Sequence, residues 1–590
     1  MSSTVQSLTL PRLIAAALAR HCSHAFGLMG NGNAHFIEAL REVGIPLTTV
    51  RHEAATVASA DAYTRVSGRV AIATTTYGAG FTNTVTALAE AAQARTPMFL
   101  VVGDSPTSGA RPWDVDQEML AAAVGVRTYR VDLANPAKTV DRAIRACLRH
   151  RRPVVLSIPY DLVARPLPDE GRAAGIDAVD LDDPATVADL IAATRGEGAA
   201  APERIDGAGR EVDPLALERA VAALATASRP AIIAGHGAWL ADAGRELGRL
   251  ADALGALTAS TARGRGIFPD ARHDLGIVGG FGQERAMETL SQADVVVVVG
   301  AGLNQFTMRF GELLGPDTTL IRVDIDEVPE PRTAHPLAHL LLVGDAREVV
   351  SRLADLVAAA RPTPSGWREA TAGLEPGGAL RALDTGTDDA EGLLADGRLD
   401  PRALAARLAE LLPVDRHVTS DGGHFLGWAN MFWPVASPER MLLMGTMYQT
   451  IGLGLASASG VAIAAPDSTL VVNSGDGGGL MALADLETVI RTARRCVIVI
   501  WNDGAYSAEV HLYGRMGINE EPMRIPEVNF AGLAAALGAT GLRIERLSDL
   551  AGFERWLEAG GTGTVLLDCR ISGTVIAPYQ REIMRVNGVE

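Results

Sequence analysis

Asp476 and Asp503 are the residues of this chain best placed to do chemistry. Asp476 lies in Gly475-Asp476-Gly477-Gly478-Gly479, just after the apolar run Leu470-Val471-Val472. Asp503 follows 27 residues later in Asn502-Asp503-Gly504, after Cys496-Val497-Ile498-Val499-Ile500. Between them Leu480, Leu483, Leu486, Val489 and Ile490 recur at helical spacing. The pattern predicts strand, glycine turn, helix, strand, with an acid at the C-terminal end of each strand. Ligands of open parallel sheets sit outside those ends. Glycines let backbone N–H groups approach a phosphate, and a helix start favours negative charge. An aspartate there can hold a hard cation against phosphate oxygens, since Mg²⁺ takes a few carboxylate or carbonyl oxygens beside them. The competing reading is a tight glycine turn before a capped helix, with no ligand.

These two acids need a sheet to hold them, and the rest of the chain predicts more than one. Helices at Leu13–Arg20, Ala34–Val43, Ala54–Val66 and Thr82–Ala94 alternate with strands at His24–Met29, Leu47–Val50, Val70–Thr75, Met98–Val102 and Val154–Pro159. This is a doubly wound α/β pattern. Ala192–Asp213 is rich in Gly, Ala and charge and reads as a linker. Strands then recur at Ala231–Gly235, Val295–Gly300 and Leu320–Asp324. Gly300-Ala301-Gly302 lacks the third glycine of a dinucleotide fingerprint and is a weak signal. Ala360–Arg398 reads as a second linker, and a third unit starts at Leu399.

Composition bounds the answer. A chain of 590 residues argues for about three domains. It is 48% hydrophobic and 21% charged, so it can bury large cores. Its net charge of −17 and lack of basic runs argue against nucleic acid and anionic membrane surfaces. The four cysteines are widely spaced, with no CxxC pair, and read as buried free thiols. The start, MSSTVQSLTLPRLIAAALAR, reads as a lead-in to an amphipathic helix. No run has the apolar length of a membrane span. A cytoplasmic protein is the expectation.

The Asp476–Asp503 stretch resembles the diphosphate-binding signature of thiamine-diphosphate (ThDP) enzymes, Gly-Asp-Gly followed at this spacing by Asn-Asn. The second Asn of that signature is Asp503 here, which adds a negative charge. The resemblance is to the acetolactate synthase and 2-oxoacid decarboxylase branch and covers nearly the whole chain. It implies three doubly wound parallel-sheet α/β domains: a pyrimidine domain (residues 1–190), a Rossmann-like middle domain (214–360) and a diphosphate domain (399–575). It implies Mg²⁺ ligation by Asp476, Asp503 and the Ala505 carbonyl, with Gly475, Gly477, Gly478 and Tyr506 around the diphosphate. Glu53, after Arg51-His52 and before an Ala-rich helix, would activate the cofactor through its aminopyrimidine ring. Its alternative reading is an acid complementing a helix dipole. Asn83 closes the matching segment Tyr77-Gly78-Ala79-Gly80-Phe81-Thr82-Asn83. In Gly445–Leu455, Ile451 falls on the position that wedges the cofactor into a bent shape, and the Gln449 carbonyl would accept from its amino group. His424 would contact the diphosphate or be a satisfied structural histidine.

Substrate signals are thinner. Gln117, in Asp116-Gln117-Glu118, matches a pair in acetolactate synthase-like members whose glutamine reaches the active site; an exposed polar loop is the alternative. The His-His pair of pyruvate decarboxylase-like members is absent, and Asn31 stands where they carry an acid. Glu509 matches a glutamate those decarboxylases use near the substrate, or is simply a polar helix face. These features imply a carboligase or C–C lyase acting on 2-oxo acids or acyl donors. The alternatives are a simple 2-oxoacid decarboxylase or, in another class, a non-catalytic flavin- or nucleotide-binding scaffold. Some relatives hold FAD in the middle domain; a structural role is expected here. The resemblance also implies a homodimer or homotetramer with sites between subunits. No function signal is read in Ile571–Glu590.

Overall fold

The structure, a computed structural model, describes residues 8–167, 212–375 and 378–589. It contains three six-stranded sheets, each built from one stretch of chain, and every pairing between their strands is parallel. Central strands such as Val295–Val299 and Arg495–Asn502 are buried on both faces. Helices cover both sides of such sheets, and the strands read as unbroken Val/Ile runs for that reason.

The first sheet runs Leu47–Thr49, Cys22–Gly27, Val70–Thr75, Met98–Asp104, Val154–Pro159, Arg127–Arg130. The third runs Met441–Leu443, Arg416–Ser420, Thr469–Gly475, Arg495–Asn502, Gly563–Arg570, Thr540–Ile544. Numbered within each domain, both read 2-1-3-4-6-5. The middle sheet differs: counted from Asp274–Ile277 to Ala338–Val343 it reads 3-2-1-4-5-6, the dinucleotide-fold order.

The like-ordered first and third domains pack on each other through equivalent helices, Glu53–Ser67 and Leu453–Ala464. Each follows the second strand of its sheet. Small residues permit the close crossing. Ser59 Oγ lies 2.7 Å from Ser459 Oγ and donates to the Ala456 carbonyl at 2.9 Å. A Cβ on Gly460 would fall 2.0 Å from the Ser59 carbonyl oxygen, so only glycine fits there. The His52 ring accepts from Ala54 N–H at the start of its helix, and Gly68, with φ of +69°, ends it. His52 thus caps the helix that begins at Glu53.

Three local expectations are corrected. The helix Leu10–Ala19 is not amphipathic: nine of its ten residues are buried, and Arg12 ion-pairs with Glu42. The helix after the glycine turn is broken into Asp476–Met481, a 3₁₀ turn at Leu483–Asp485, and Leu486–Thr492. The stretch 360–398 is not a free linker. Leu374 and Leu380 are buried in the middle-domain core, while Leu383 and Leu393 pack on the third. Its polarity hid four anchoring leucines. Most of the first predicted linker lies outside the described residues. All four cysteines are buried and free, and no helix among the described residues is long and apolar enough to cross a membrane.

Candidate active site

The order of the third sheet reverses between Arg416–Ser420 and Thr469–Gly475, and such a switch point opens a crevice beyond the strand ends. Asp421 follows the first of these strands and Asp476 the second; Asp503 follows the next one over. Asp476 accepts from Gly477 N–H and Gly504 N–H, both at 2.9 Å, and Asp503 from the Ser507 hydroxyl at 2.6 Å. Burial raises the pKa of both acids, and the charge of Asp503 raises Asp476 further. Neither has an ion-pair partner among the described residues. Two buried carboxylates that repel each other, with the Arg398 charge acting on Asp503, could hold an added cation. Among the described residues no cluster of three His, Cys, Asp or Glu side chains could hold a metal. An ion here must therefore complete its shell with carbonyl, water or ligand oxygens, which is how Mg²⁺ binds phosphates. Ala505 sits between two anchored neighbours: Gly504 accepts from Ile525 N–H and Tyr506 donates to the Met523 carbonyl, both at 2.8 Å.

The glycines are cut to fit. A Cβ on Gly477 would fall 2.5 Å from the Tyr506 ring, and one on Gly478 2.4 Å from an Asp421 oxygen. Asp421 was not singled out from the sequence, where it is one polar residue in a turn. It is buried and accepts from Gly422 and Gly452 N–H at 2.9 and 3.0 Å. Burial pushes its pKa up to about 7. It thereby ties the strand end to the start of the Leu453–Ala464 helix.

The loop before that helix is constrained. Gln449 has φ of +58°, rare for a side-chain-bearing residue, and Thr450 N–H closes on the Gly445 carbonyl at 2.9 Å. Strained backbone persists only where neighbours over-determine it. Glu90, fully buried in the first domain, accepts from Tyr448 N–H at 2.9 Å, and Arg65 donates to the Leu443 carbonyl at 3.2 Å. Ile451 faces the Gly422 turn, where a Cβ would meet its side chain at 3.2 Å.

His424 is buried, and its Nε2 accepts from Ala577 N–H at 2.9 Å, so this nitrogen carries no proton. Its ring centre lies 4.7 Å from that of His511. Burial, then the neighbouring His511, lowers its pKa to about 3; burial lowers His511 to about 4. The C-terminal helix Pro578–Val586 supplies a further wall. The Tyr579 hydroxyl donates to the Gly423 and His424 carbonyls at 2.9 and 3.1 Å, and Gln580 to the Ala508 carbonyl at 3.1 Å. No local pattern announces these contacts, because they join segments 72 to 156 residues apart.

A cavity of about 750 Å³ joins this crevice to the strand ends of the middle domain. Its walls include Gly422, His424, Gln449, Ile451, Gly475–Gly478, Asp503, Ala505, Tyr506 and Glu509, and on the middle-domain side His236, Arg263 and Gly300–Asn304.

The first-domain candidates form a separate cluster outside this cavity. Glu53 accepts from Asn83 Nδ2 at 2.9 Å through Oε2. Its Oε1 faces Gly80, where a Cβ would lie 3.6 Å away. Gln117 is buried and joins a turn to a strand end: Oε1 accepts from Gly78 N–H at 2.7 Å and Nε2 donates to the Gly103 carbonyl at 2.9 Å. It is not the exposed loop residue of the alternative reading.

The thiamine pyrophosphate enzyme domains match in order along the chain: the N-terminal TPP binding domain over residues 8–124, the central domain over 217–353, and the C-terminal TPP binding domain over 421–569. The chain belongs to the thiamine pyrophosphate enzyme family. It is 27% identical to the acetolactate synthase isozyme 3 large subunit of Escherichia coli, covering 89% of this chain and 88% of that one. It is 26% identical to the sulfoacetaldehyde acetyltransferase of Alcaligenes xylosoxydans xylosoxydans, covering 91% and 88%. Its fold is shared with the ThDP-dependent 4-hydroxybenzoylformate decarboxylase of Rhodococcus jostii RHA1, at a TM-score of 0.72 and 20% identity over 96% of this chain and 99% of that one. Asp476, Asp503 and the glycine turn thus lie in a TPP binding domain, and Glu53, Asn83 and Gln117 in the other. The cofactor of this ThDP-dependent enzyme is thiamine diphosphate.

Proposed function

We propose that this ThDP enzyme is a Mg²⁺-dependent carboligase or C–C lyase of the acetolactate synthase-like group, acting on 2-oxo acids or acyl donors. The observation that carries the reading is the pair of buried, mutually repelling carboxylates beside a glycine cradle. Asp476, Asp503 and the Ala505 carbonyl would hold the ion, and Gly477 and Gly478 would admit the diphosphate beside it. When bound, ThDP supplies the nucleophilic carbon and the electron sink for breaking a bond to a carbonyl carbon. The chain's own part is orientation and proton control. Gln449 and Ile451, on a backbone fixed by Glu90 and Arg65, shape the pocket floor. Asn83 holds Glu53 Oε2, which leaves Oε1 as the oxygen to exchange a proton with the ligand. His424 stays neutral, and Glu509 lines the cavity as an acid for later proton transfer.

Glu53 lies outside the Asp476 cavity of its own chain, so we place the complete site between two copies. Apolar side chains stand exposed near each half: Met29, Trp113 and Met119 at 66, 62 and 70% in the first domain, and Met481 at 57% beside the third-domain turn. Such patches support a homodimer or homotetramer. Glu509 keeps a simple 2-oxoacid decarboxylase as the second reading. The test is turnover of the Mg²⁺/ThDP-reconstituted protein on pyruvate and aromatic 2-oxo acids, with and without an acceptor aldehyde. Ligated product supports the first reading; aldehyde as sole product overturns it in favour of the second. A protein inert with every substrate would fit a scaffold.

A further inference from the structure

The cavity, which must also admit the cofactor, has one aromatic stretch of wall. On one side stand Phe281 and Phe306, from middle-domain loops. Opposite them the C-terminal helix contributes Tyr579 and Ile583. The Phe281 and Tyr579 rings meet edge-on, with centroids 5.5 Å apart and planes at 71°. This edge-to-face pairing is one that a third ring can extend. The helix is held in place by ion pairs from Arg309 to Glu582 and from Arg585 to Glu312. A Cβ on Gly280 would fall 2.7 Å from the Tyr579 Cβ, so the two walls are in close contact.

The charged groups of the C-terminal wall are already paired or acidic. The Tyr579 hydroxyl is turned to the Gly423 and His424 carbonyls, so its ring rather than its oxygen faces the cavity. Arg309 and Arg585, the nearest cations on this wall, are both committed to carboxylates. Arg151 and Arg263 also line the cavity, where their charges act on His236. Glu509, whose charge acts on Tyr579, would repel a second anionic group.

We propose that this recess, walled by Phe281 and Tyr579, selects a 2-oxo acid with a bulky apolar, aromatic side chain. This rests on the ThDP reading above and names the substrate class of the same site. Burying a phenyl ring there contributes through apolar area, while a methyl group leaves most of the recess wet.

The experiment uses the full chain loaded with ThDP and Mg²⁺. Consumption of phenylpyruvate, benzoylformate, pyruvate and 2-oxoglutarate is followed, with cofactor affinity measured separately by fluorescence quenching. The better aromatic acid should have a kcat/KM at least tenfold above pyruvate and 2-oxoglutarate. Phe281→Ala should lower the aromatic-to-pyruvate ratio at least tenfold, mainly through KM, with ThDP affinity held within twofold. Ile583→Ala, on the half-buried face of a terminal helix, serves if Phe281→Ala fails to fold. A preference for pyruvate or 2-oxoglutarate, or an unchanged ratio in both variants, overturns the proposal and leaves the ThDP reading standing. Were no acid consumed, calorimetry on the loaded protein decides: benzoylformate binding no tighter than pyruvate overturns it. Failure to bind ThDP at all would remove the underlying reading.

Discussion

The first and third domains share one strand order but place their acids at different strand ends. After its third strand the third domain places Asp476, and after its fourth Asp503; at the equivalent points the first domain has Thr76 and Ser105. After its second strand the first domain places Glu53, where the third has the Gly445–Gln449 loop. The acids of the third domain are raised by burial and, for Asp476, by each other. Glu53 has a donor from Asn83 and no acidic neighbour of this kind. One topology thus yields a half with two neighbouring buried acids and a half with a single positioned carboxylate. The fold sets where a residue stands; its type and immediate partners set what it does.

That contrast can be broken at several points. The largest effect should come from Glu53→Gln, which keeps the shape and the Asn83 contact but cannot exchange a proton. Turnover should fall about 10³-fold, the range for a lost general acid or base, while ThDP still binds. Activity near the parent's would mean that the first-domain half does no proton chemistry. Next is the seam between the two domains. Gly460→Val forces a side chain where only 2.0 Å separates a Cβ from the Ser59 carbonyl. Overpacking of this kind should cost about 1–3 kcal/mol in denaturant unfolding, and an unchanged midpoint would contradict the close crossing. The smallest effect concerns pH. His424 is neutral in the fold, with its pKa lowered to about 3, so the unfolded chain takes up a proton first as pH falls below about 6.5. Its stabilising contribution is full above that value and declines on acidification. Compared with His424→Gln, which can still accept from Ala577 N–H, the parent should lose up to about 1.4 kcal/mol more per pH unit between 6.5 and 4. Parallel stability curves would show that His424 is not buried neutral.

What could be read in the sequence was local. Gly475-Asp476-Gly477 and Asn502-Asp503-Gly504 sit at the ends of runs whose apolarity marks buried parallel strands, so their position was visible in consecutive residues. Glu53 was legible because a strand, a short polar turn and an Ala-rich helix surround it. Asp421 was not, because an acid in a glycine turn has no local mark of burial. Tyr579 and Phe281 were not, because their walls exist only after the C-terminal helix docks on the middle domain. The leucines of the 360–398 stretch were missed for a related reason: their partners lie in two different cores. For Gln117 the sequence indicated a site segment, and only the coordinates show its amide clamped between Gly78 and Gly103.

The central claim is that Asp476 and Asp503 exist to share a cation with a diphosphate. Calorimetric titration of ThDP into the metal-stripped protein, with and without Mg²⁺, tests it most directly when repeated on Asp476→Asn. Binding should require the ion and weaken by about 100-fold or more in the variant, the scale on which metal sites respond to lost partners. Equal ThDP affinity in a chelator, or an Asp476→Asn protein that binds as the parent does, would contradict the account.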